Sequence, residues 1–323
     1  MKITRILSGL AASLLILVPL SANAQSYPSQ PIKIVVPYSA GGIADVLARL
    51  VSVEFEKTFK QPVVVENRPG ANGTIALQLV AEAKPDGYTL LLGNTSTQVI
   101  NRFMYKSLPF NLEKAFQPVG RIAFTPMLLV VSESSPFNSV SDVLKAAKAS
   151  PNKLDFGSAG IGSASHLALV LLNSSGKIEI AHVPYKGTAN IRPDLMGGRL
   201  AGYFDVPITA LGLISSGKLK AIGIASKTRQ PVLPNVPAIA ETIEGFEIGS
   251  WLGLFTPAGT PKERVDVLNK ALNVMLANPA VRQQLVSQGN ELIPTTPKEF
   301  EDFIANEAAR LQVLTSAAGI KPE

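Results

Sequence analysis

Residues 31–45, Pro-Ile-Lys-Ile-Val-Val-Pro-Tyr-Ser-Ala-Gly-Gly-Ile-Ala-Asp, hold a strand, a glycine turn and a helix start in immediate succession. The β-branched run Pro31 to Val36 is closed by Pro37, which cannot continue a ladder inside a sheet. After Gly41-Gly42, Val46, Leu50 and Val53 recur at helical spacing, with Asp45 in the first turn and Lys57 in the last. Both charges suit the helix dipole. A strand, tight turn and helix in this order open a βαβ unit. Short β-rich runs alternating with helical patterns further along predict an α/β chain with mainly parallel sheets.

Working outward, Val63–Val65 and Tyr88–Leu92 read as the next strands, the latter entered through the Pro85-Asp86-Gly87 turn. The middle of the chain restarts with a strand at Met127–Val131. Ser139-x-x-Asp142 follows, a capping-box-like start for a helix over Val140–Ala149. Strands are expected at Leu154–Phe156, Ile178–Val183, Leu200–Phe204 and Leu219–Ala225, with helices near Ser163–Asn173 and Thr188–Met196 between them. Two long helical patterns close the chain. Val265, Leu268, Leu272 and Met275 line one, started by Pro261 and stopped by Asn278-Pro279; Phe300, Phe303, Ile304, Ala308 and Leu311 line the other. Both are expected to clamp onto the N-terminal lobe from outside.

The first 24 residues have the layout of a secretory signal peptide. Lys2 and Arg5 lead, an apolar run spans Ile6 to Leu20, and Ala22-Asn23-Ala24 offers a small-x-small site. Cleavage is expected after Ala24, releasing a periplasmic chain of 299 residues from the full 323. That is more than one hydrophobic core usually serves, so two lobes are expected. Removing Lys2 and Arg5 lowers the net charge from +6 to +4. No run of five basic residues occurs and aromatics are only 6%, which argues against nucleic-acid binding. The chain contains no cysteine, so no disulfide framework supports it.

Enzyme signatures are scarce. His166 and His182 are the only histidines, and no H-E-x-x-H, P-loop or G-x-S-x-G is present. Metal and cofactor sites are therefore not expected. His166 lies near Ser163 and Ser165, which leaves a secreted hydrolase using that histidine as the alternative function. Gly160-Ile-Gly162-Ser-Ala-Ser165 is a damaged dinucleotide fingerprint, with Ser where the third Gly belongs.

What remains are small-residue loops at the carboxyl ends of strands, where open α/β sheets bind ligands. Tyr38–Asp45 and Gly157–His166 both precede helices, whose unpaired N–H groups attract anions. Two such loops facing each other would grip both ends of a small dicarboxylate, or they are simply the corners of the fold. Asn94–Thr97 is either a third contact or an N-cap. Asp205 would read a hydroxyl, an amine or a water and would repel an acid set against it, or it caps a turn. Lys186 is either a ligand cation or a solvated lysine.

Together these landmarks resemble the extracytoplasmic receptors of tripartite tricarboxylate transporters, the Bug receptors. The likeness is carried by Tyr27–Pro37, Gly41-Gly42 with Asp45, Glu66–Ala71, Pro85–Leu90 and His182–Gly187. It continues in Asp194-Leu195 with Gly197, Val236-Pro237 with Glu241, and Trp251-x-Gly253 before Pro257–Pro261. The resemblance implies a two-lobed periplasmic binding fold of the type II, Venus-flytrap kind. Residues 25–125 plus 246–323 would form one lobe and 126–245 the other. It further implies a monomeric receptor that holds a small organic acid between the lobes and delivers it to integral-membrane permease subunits. The implied ligand positions are Tyr38, Ser39, Gly41, Gly42, Asp45, Thr95, Ser96, Ser158, Gly160, Gly162, Ser163, His166 and Asp205. This chain departs from the family pattern at Tyr38-Ser39-Ala40, at Ala44 where threonine is frequent, and at Asn190-Ile-Arg-Pro193. These departures point to a changed ligand, with aromatic or branched acids as credible as citrate-like ones.

Overall fold

A computed structural model describes residues 27–322 apart from 186, 188 and 189. The signal-peptide reading and the cation reading of Lys186 lie outside the described residues. None of the described helices is long and apolar enough to cross a membrane.

Two five-stranded sheets organise the chain. The first contains β1 (Ile32–Val36), β2 (Val63–Asn67), β3 (Thr89–Asn94), β4 (Phe116–Pro126) and β10 (Gly249–Pro257), in the order β2-β1-β3-β10-β4. The second contains β5 (Leu128–Ser132), β6 (Asp155–Ser158), β7 (Ala181–Pro184), β8 (Gly202–Asp205) and β9 (Leu219–Ile224), in the order β7-β6-β8-β5-β9. In each, four strands share a direction and one runs against them: β10 in the first, β5 in the second. The expected mainly parallel, two-lobed α/β architecture is present.

Helices cover the sheets. α1 (Ile43–Phe59) buries Leu47, Ala48, Val51 and Phe55. The stripe read from sequence was Val46, Leu50 and Val53, and it lies on the flank, with Val53 47% exposed. α1 carries apolar residues around more than half its girth, so spacing alone does not single out the core face. α2 (Thr74–Ala81), α3 (Asn101–Met104), α4 (Val140–Ala149), α5 (Ala164–Gly176), α6 (Ile191–Met196) and α7 (Pro207–Ser215) follow in order, then α8 (Lys262–Ala277), α9 (Pro279–Ser287) and α10 (Pro297–Ala317). Ser139 caps α4 by accepting from the Asp142 N–H, while the Asp142 carboxylate accepts from Asn138 N–H, one residue earlier than a full capping box requires.

α8 buries its predicted stripe against the first sheet. α10 also packs there, Phe300 meeting Trp251 edge-on with ring centroids 5.4 Å apart. A Cβ on Gly253 would fall 2.3 Å from Phe300 Cζ, so only glycine lets that ring lie flat on β10. α10 does not stay on one lobe, as it also touches α5.

The chain passes between the sheets at three places that meet. β4 runs into β5 through Met127, β9 leaves through Ala225, and Ile248 leads into β10. Met127 N–H donates to Ile248 O (3.1 Å), Ile248 N–H to Ala225 O (3.1 Å) and Ala225 N–H to Met127 O (2.7 Å). The three crossings thus close a ring of main-chain hydrogen bonds.

Candidate functional site

The carboxyl ends of β1, β2 and β3 converge on the Tyr38 loop. Tyr38 O–H donates to Asn94 Oδ1 (3.0 Å) at the end of β3, and Asn67 Nδ2 at the end of β2 donates to Tyr38 O (3.0 Å). Burial raises the phenol's pKa, so it remains a donor. Gly41 turns with φ +85°, in open space, and its N–H donates to Asp45 Oδ2 (3.0 Å). Arg49 Nε donates to the same oxygen (3.0 Å), and these partners hold the Asp45 carboxyl below the usual carboxylate range. Asp45 is buried, and its oxygen Oδ2 organises the loop.

α1 itself begins without a side-chain cap. Its ladder starts with Val46 N–H to Gly42 O (3.0 Å), and helix starts leave the preceding donors unmatched. The Ile43 and Ala44 N–H groups find no acceptor among the described residues. Gly42, Ile43 and Ala44 line a cavity of about 400 Å³ shared with Ser96, Val206 and Ile208. Val206 and Ile208 come from the second lobe's side, so the cavity lies between the two sheets' loops.

After β3, a π-helical turn Ser96–Ile100 runs into α3. Ser96 reaches the cavity. Thr95 lines neither cavity, and its Oγ1 accepts from the main-chain N–H of Trp251 (3.0 Å) on β10. Thr97 and Asn94 close on each other, Thr97 N–H donating to Asn94 Oδ1 (3.0 Å).

The second glycine corner is self-capped. Ala159 N–H donates to Ser165 Oγ (2.9 Å), Gly160 N–H to Ser158 Oγ (3.2 Å), Gly162 N–H to His166 Nδ1 (3.1 Å) and His166 N–H to Ser163 Oγ (3.3 Å). An acceptor role at Nδ1 leaves the His166 proton on Nε2. The His166 ring stacks on His182 with centroids 3.9 Å apart and planes at 14°. Burial, aided by the charge His182 would carry, lowers the His166 pKa to about 4. Burial lowers that of His182 as well. His182 Nε2 lies 2.6 Å from Ser158 Oγ, so both imidazoles brace the loop from behind.

This corner opens into a second cavity of about 310 Å³, lined by Asn72, Ser96, Met104, Ile161, Gly162 and Ser163 among others. Ser96 borders both cavities, the first lined also by Gly42 and the second by Gly162. Asp205, by contrast, is fully buried. Val206 N–H (2.8 Å) and Thr209 O–H (2.7 Å) donate to its Oδ1, while Tyr203 O–H and Arg192 Nη2 (3.3 Å) donate to Oδ2.

Sequence reasoning did not find Val206, Ile208, Thr125, Ser250, Leu252, Gln288 or Asn290, which complete the larger cavity. The last five come from β4, β10 and the segment after α9. They carry no loop signature, and only the tertiary fold gathers them. No lysine or arginine lines either cavity among the described residues.

The chain and its fold have relatives among known proteins. A family model described as the tripartite tricarboxylate transporter family receptor matches residues 47–320. A "UPF0065 protein in tcbD-tcbE intergenic region" from Pseudomonas sp. (strain P51) is 37% identical, covering 96% of this chain and 93% of its own length. An R. palustris protein solved with adipate superposes with TM-score 0.78 at 33% identity, covering 92% of this chain and 100% of its own. MatC from Rhodopseudomonas palustris with bound malate gives TM-score 0.71 at 33% identity, covering 89% and 99%.

Proposed function

Because the chain belongs to the tripartite tricarboxylate transporter receptor family, we propose that it captures a small organic acid with an apolar body between its two lobes. The family is one of substrate-binding receptors, and the hydrolase alternative falls with it. The geometry agrees: Ser163 Oγ meets the main-chain N–H of His166 rather than its ring, and His166 Nδ1 accepts from an amide. No serine is activated by that imidazole.

The observation that carries the reading is the uncapped start of α1, where Ile43 and Ala44 line the cavity and their N–H groups have no acceptor among the described residues. A carboxylate placed there gains hydrogen bonds and the favourable end of the helix dipole, at ~0.3–1 kcal/mol for the dipole when exposed and ~2 when partly buried. Ile43, Val206, Ile208 and Leu252 offer apolar walls for the remainder of the ligand. Similar proteins were solved with adipate and malate, which supports a carboxylate for this one. Micromolar affinity requires only about −8.2 kcal/mol, within reach of these contacts.

On this reading residues 25–125 with 246–323 form one lobe and 126–245 the other. The lobes close about the three-way crossing, and the ligand favours the closed form by binding it better. The exported protein begins at Gln25, acts as a monomer and passes its ligand to membrane permease subunits. Mass determination of the exported protein checks the cleavage site.

A calorimetric and thermal-shift panel of mono- and dicarboxylates tests the function. At least one acid should titrate near micromolar Kd and raise the melting temperature. A folded protein that answers to no acid across a broad panel refutes the proposal.

A further inference from the structure

One stretch of the larger cavity's wall is polar and only partly matched. It comes from β4, β10 and the segment after α9, and in the sheet order β2-β1-β3-β10-β4 those two strands lie beyond β3 from β1, which leads to the Tyr38 loop. Thr125 on β4 pairs with Ser250 on β10. Thr125 Oγ1 donates to Asn290 Oδ1 (2.6 Å), and Asn290 Nδ2 donates to Leu285 O (3.1 Å). Thr125 and Asn290 are thus matched within the protein. Ser250 and Gln288, which line the cavity with them, are not. Neither the Ser250 hydroxyl nor the Gln288 amide finds a partner among the described residues, and Gln288 Oε1 is buried.

The backbone holds Gln288 in place. Its N–H donates to Leu285 O (3.1 Å), Gly289 N–H to Val286 O (2.9 Å) and Glu291 N–H to Phe124 O (2.7 Å). Gly289, at φ +82°, lies so close to α7 that a Cβ there would fall 2.4 Å from Pro207 Cβ. Residues of this segment alternate in their duties. Gln288 and Asn290 line the cavity, while Gly289 meets Pro207 and Glu291 Oε1 accepts from Gln230 Nε2 (2.6 Å).

A buried acceptor fixed in position and left without a donor makes a demand on whatever fills the cavity. A second carboxylate answers it badly, because it only accepts, and no lysine or arginine among the described residues lines the cavity to offset its charge. Turning the amide over exchanges one unmatched atom for the other. A hydroxyl both donates and accepts, so it satisfies Gln288 in either orientation. Donating to Oε1 leaves the hydroxyl oxygen free to accept from Ser250.

We propose that Gln288, aided by Ser250, reads a hydroxyl on the ligand, so that this receptor selects hydroxy acids over the same acids lacking that group. The inference rests on the carboxylate reading of the cavity given above. The carboxylate takes the open start of α1, and the hydroxyl is matched where β10 and the segment after α9 meet. An acid without the hydroxyl leaves the Gln288 amide unpaired, which is how a site built around a hydrogen bond rejects a close analogue.

Calorimetry with matched pairs tests this: malate and succinate, 3-hydroxybutyrate and butyrate, 4-hydroxybenzoate and benzoate. In the best-bound pair wild type should favour the hydroxy acid roughly ten- to a hundredfold, the range set by one unmatched buried polar group. Q288M keeps a side chain of similar length and removes the amide. It should bring the ratio close to one by weakening the hydroxy acid while the plain acid binds as before, and S250A should lower the ratio by a smaller factor. Because the Gln288 amide bonds nothing among the described residues, Q288M should melt no lower than wild type without ligand. A hydroxyl preference that survives in Q288M overturns the proposal, as does equal weakening of both acids, which assigns Gln288 to the shape of the cavity alone. Hydroxy and plain acids binding equally well to wild type in every pair refutes the hydroxyl selectivity and leaves the carboxylate reading intact. No binding of any acid removes both.

Discussion

The corner before α1 ties back one amide, Gly41 N–H to Asp45, and leaves that helix without a side-chain cap, whereas the corner before α5 ties back four, those of Ala159, Gly160, Gly162 and His166, to Ser165, Ser158, His166 and Ser163. The two stretches look alike as sequence: small residues, two glycines and a helix to follow. Both fold a side chain back by four residues, Asp45 onto Gly41 N–H and His166 onto Gly162 N–H, and what separates them is the serines that accept further amides only at the second. Ile43 and Ala44 cannot fold back onto the backbone, while serines can. On the proposed reading the uncapped corner takes the carboxylate, and the capped corner holds its shape beside it.

The largest test of that contrast removes one open amide. Pro suits the first position of a helix, where no ladder bond is lost, and Gly42 is already extended with ψ 169°. Ile43→Pro should therefore weaken carboxylate binding roughly ten- to a hundredfold with little change in unliganded melting temperature. Ile43→Ala separates the lost amide from the lost side chain. Equal affinity in I43P and I43A would show that the corner does not bind through its backbone.

At the second corner the effect should fall on stability. His166→Ala leaves the Gly162 N–H without its acceptor and should cost about 1–3 kcal/mol in denaturant unfolding. H166Q keeps an acceptor and should recover part of that.

Acid should separate the corners next. A His166 pKa depressed from 6.5 to about 4 means that the folded protein favours the neutral ring. That contribution is complete above 6.5 and is lost as pH falls from there through about 4. Asp45, also depressed, loses its contribution only as pH falls below the ordinary carboxylate range. Amide exchange should accordingly rise at Gly162 before it rises at Gly41 as pH is lowered. The reverse order would mean that the imidazoles do not brace the loop.

The smallest effect is expected at the cap. Ser163→Ala should cost about 1 kcal/mol of stability, and Ser163→Thr much less. Ligand affinity should change less than in I43P.

Much of the frame was legible in sequence because β1, β3, β5 and the α8 and α10 stripes follow simple periods. β4 and β10 were not. Pro118, Gly120 and Arg121 interrupt one, Gly249 and Gly253 the other, and their pairing slips register at Leu252/Gly253 and Leu254/Phe255. Strands that turn a corner between sheets lose their alternation. At the site, sequence located the loops but not the direction of each side chain. Asp45 and Thr95 are drawn to Gly41 and Trp251, and Asp205 to four donors, because a buried polar group must find a partner wherever the packing offers one. Arg192 stood in an unusual segment, yet its nearness to Asp205 depends on how α6 crosses the end of β8.

The ring formed by Met127, Ala225 and Ile248 is made of peptide groups alone. No particular side chain is needed to keep it, so drift in the amino acids nearby leaves the pivot as it was. If the lobes close as proposed, cleft residues can then be exchanged for a new ligand while the motion is inherited unchanged. A scaffold of this kind can diversify into many receptors without relearning how to close.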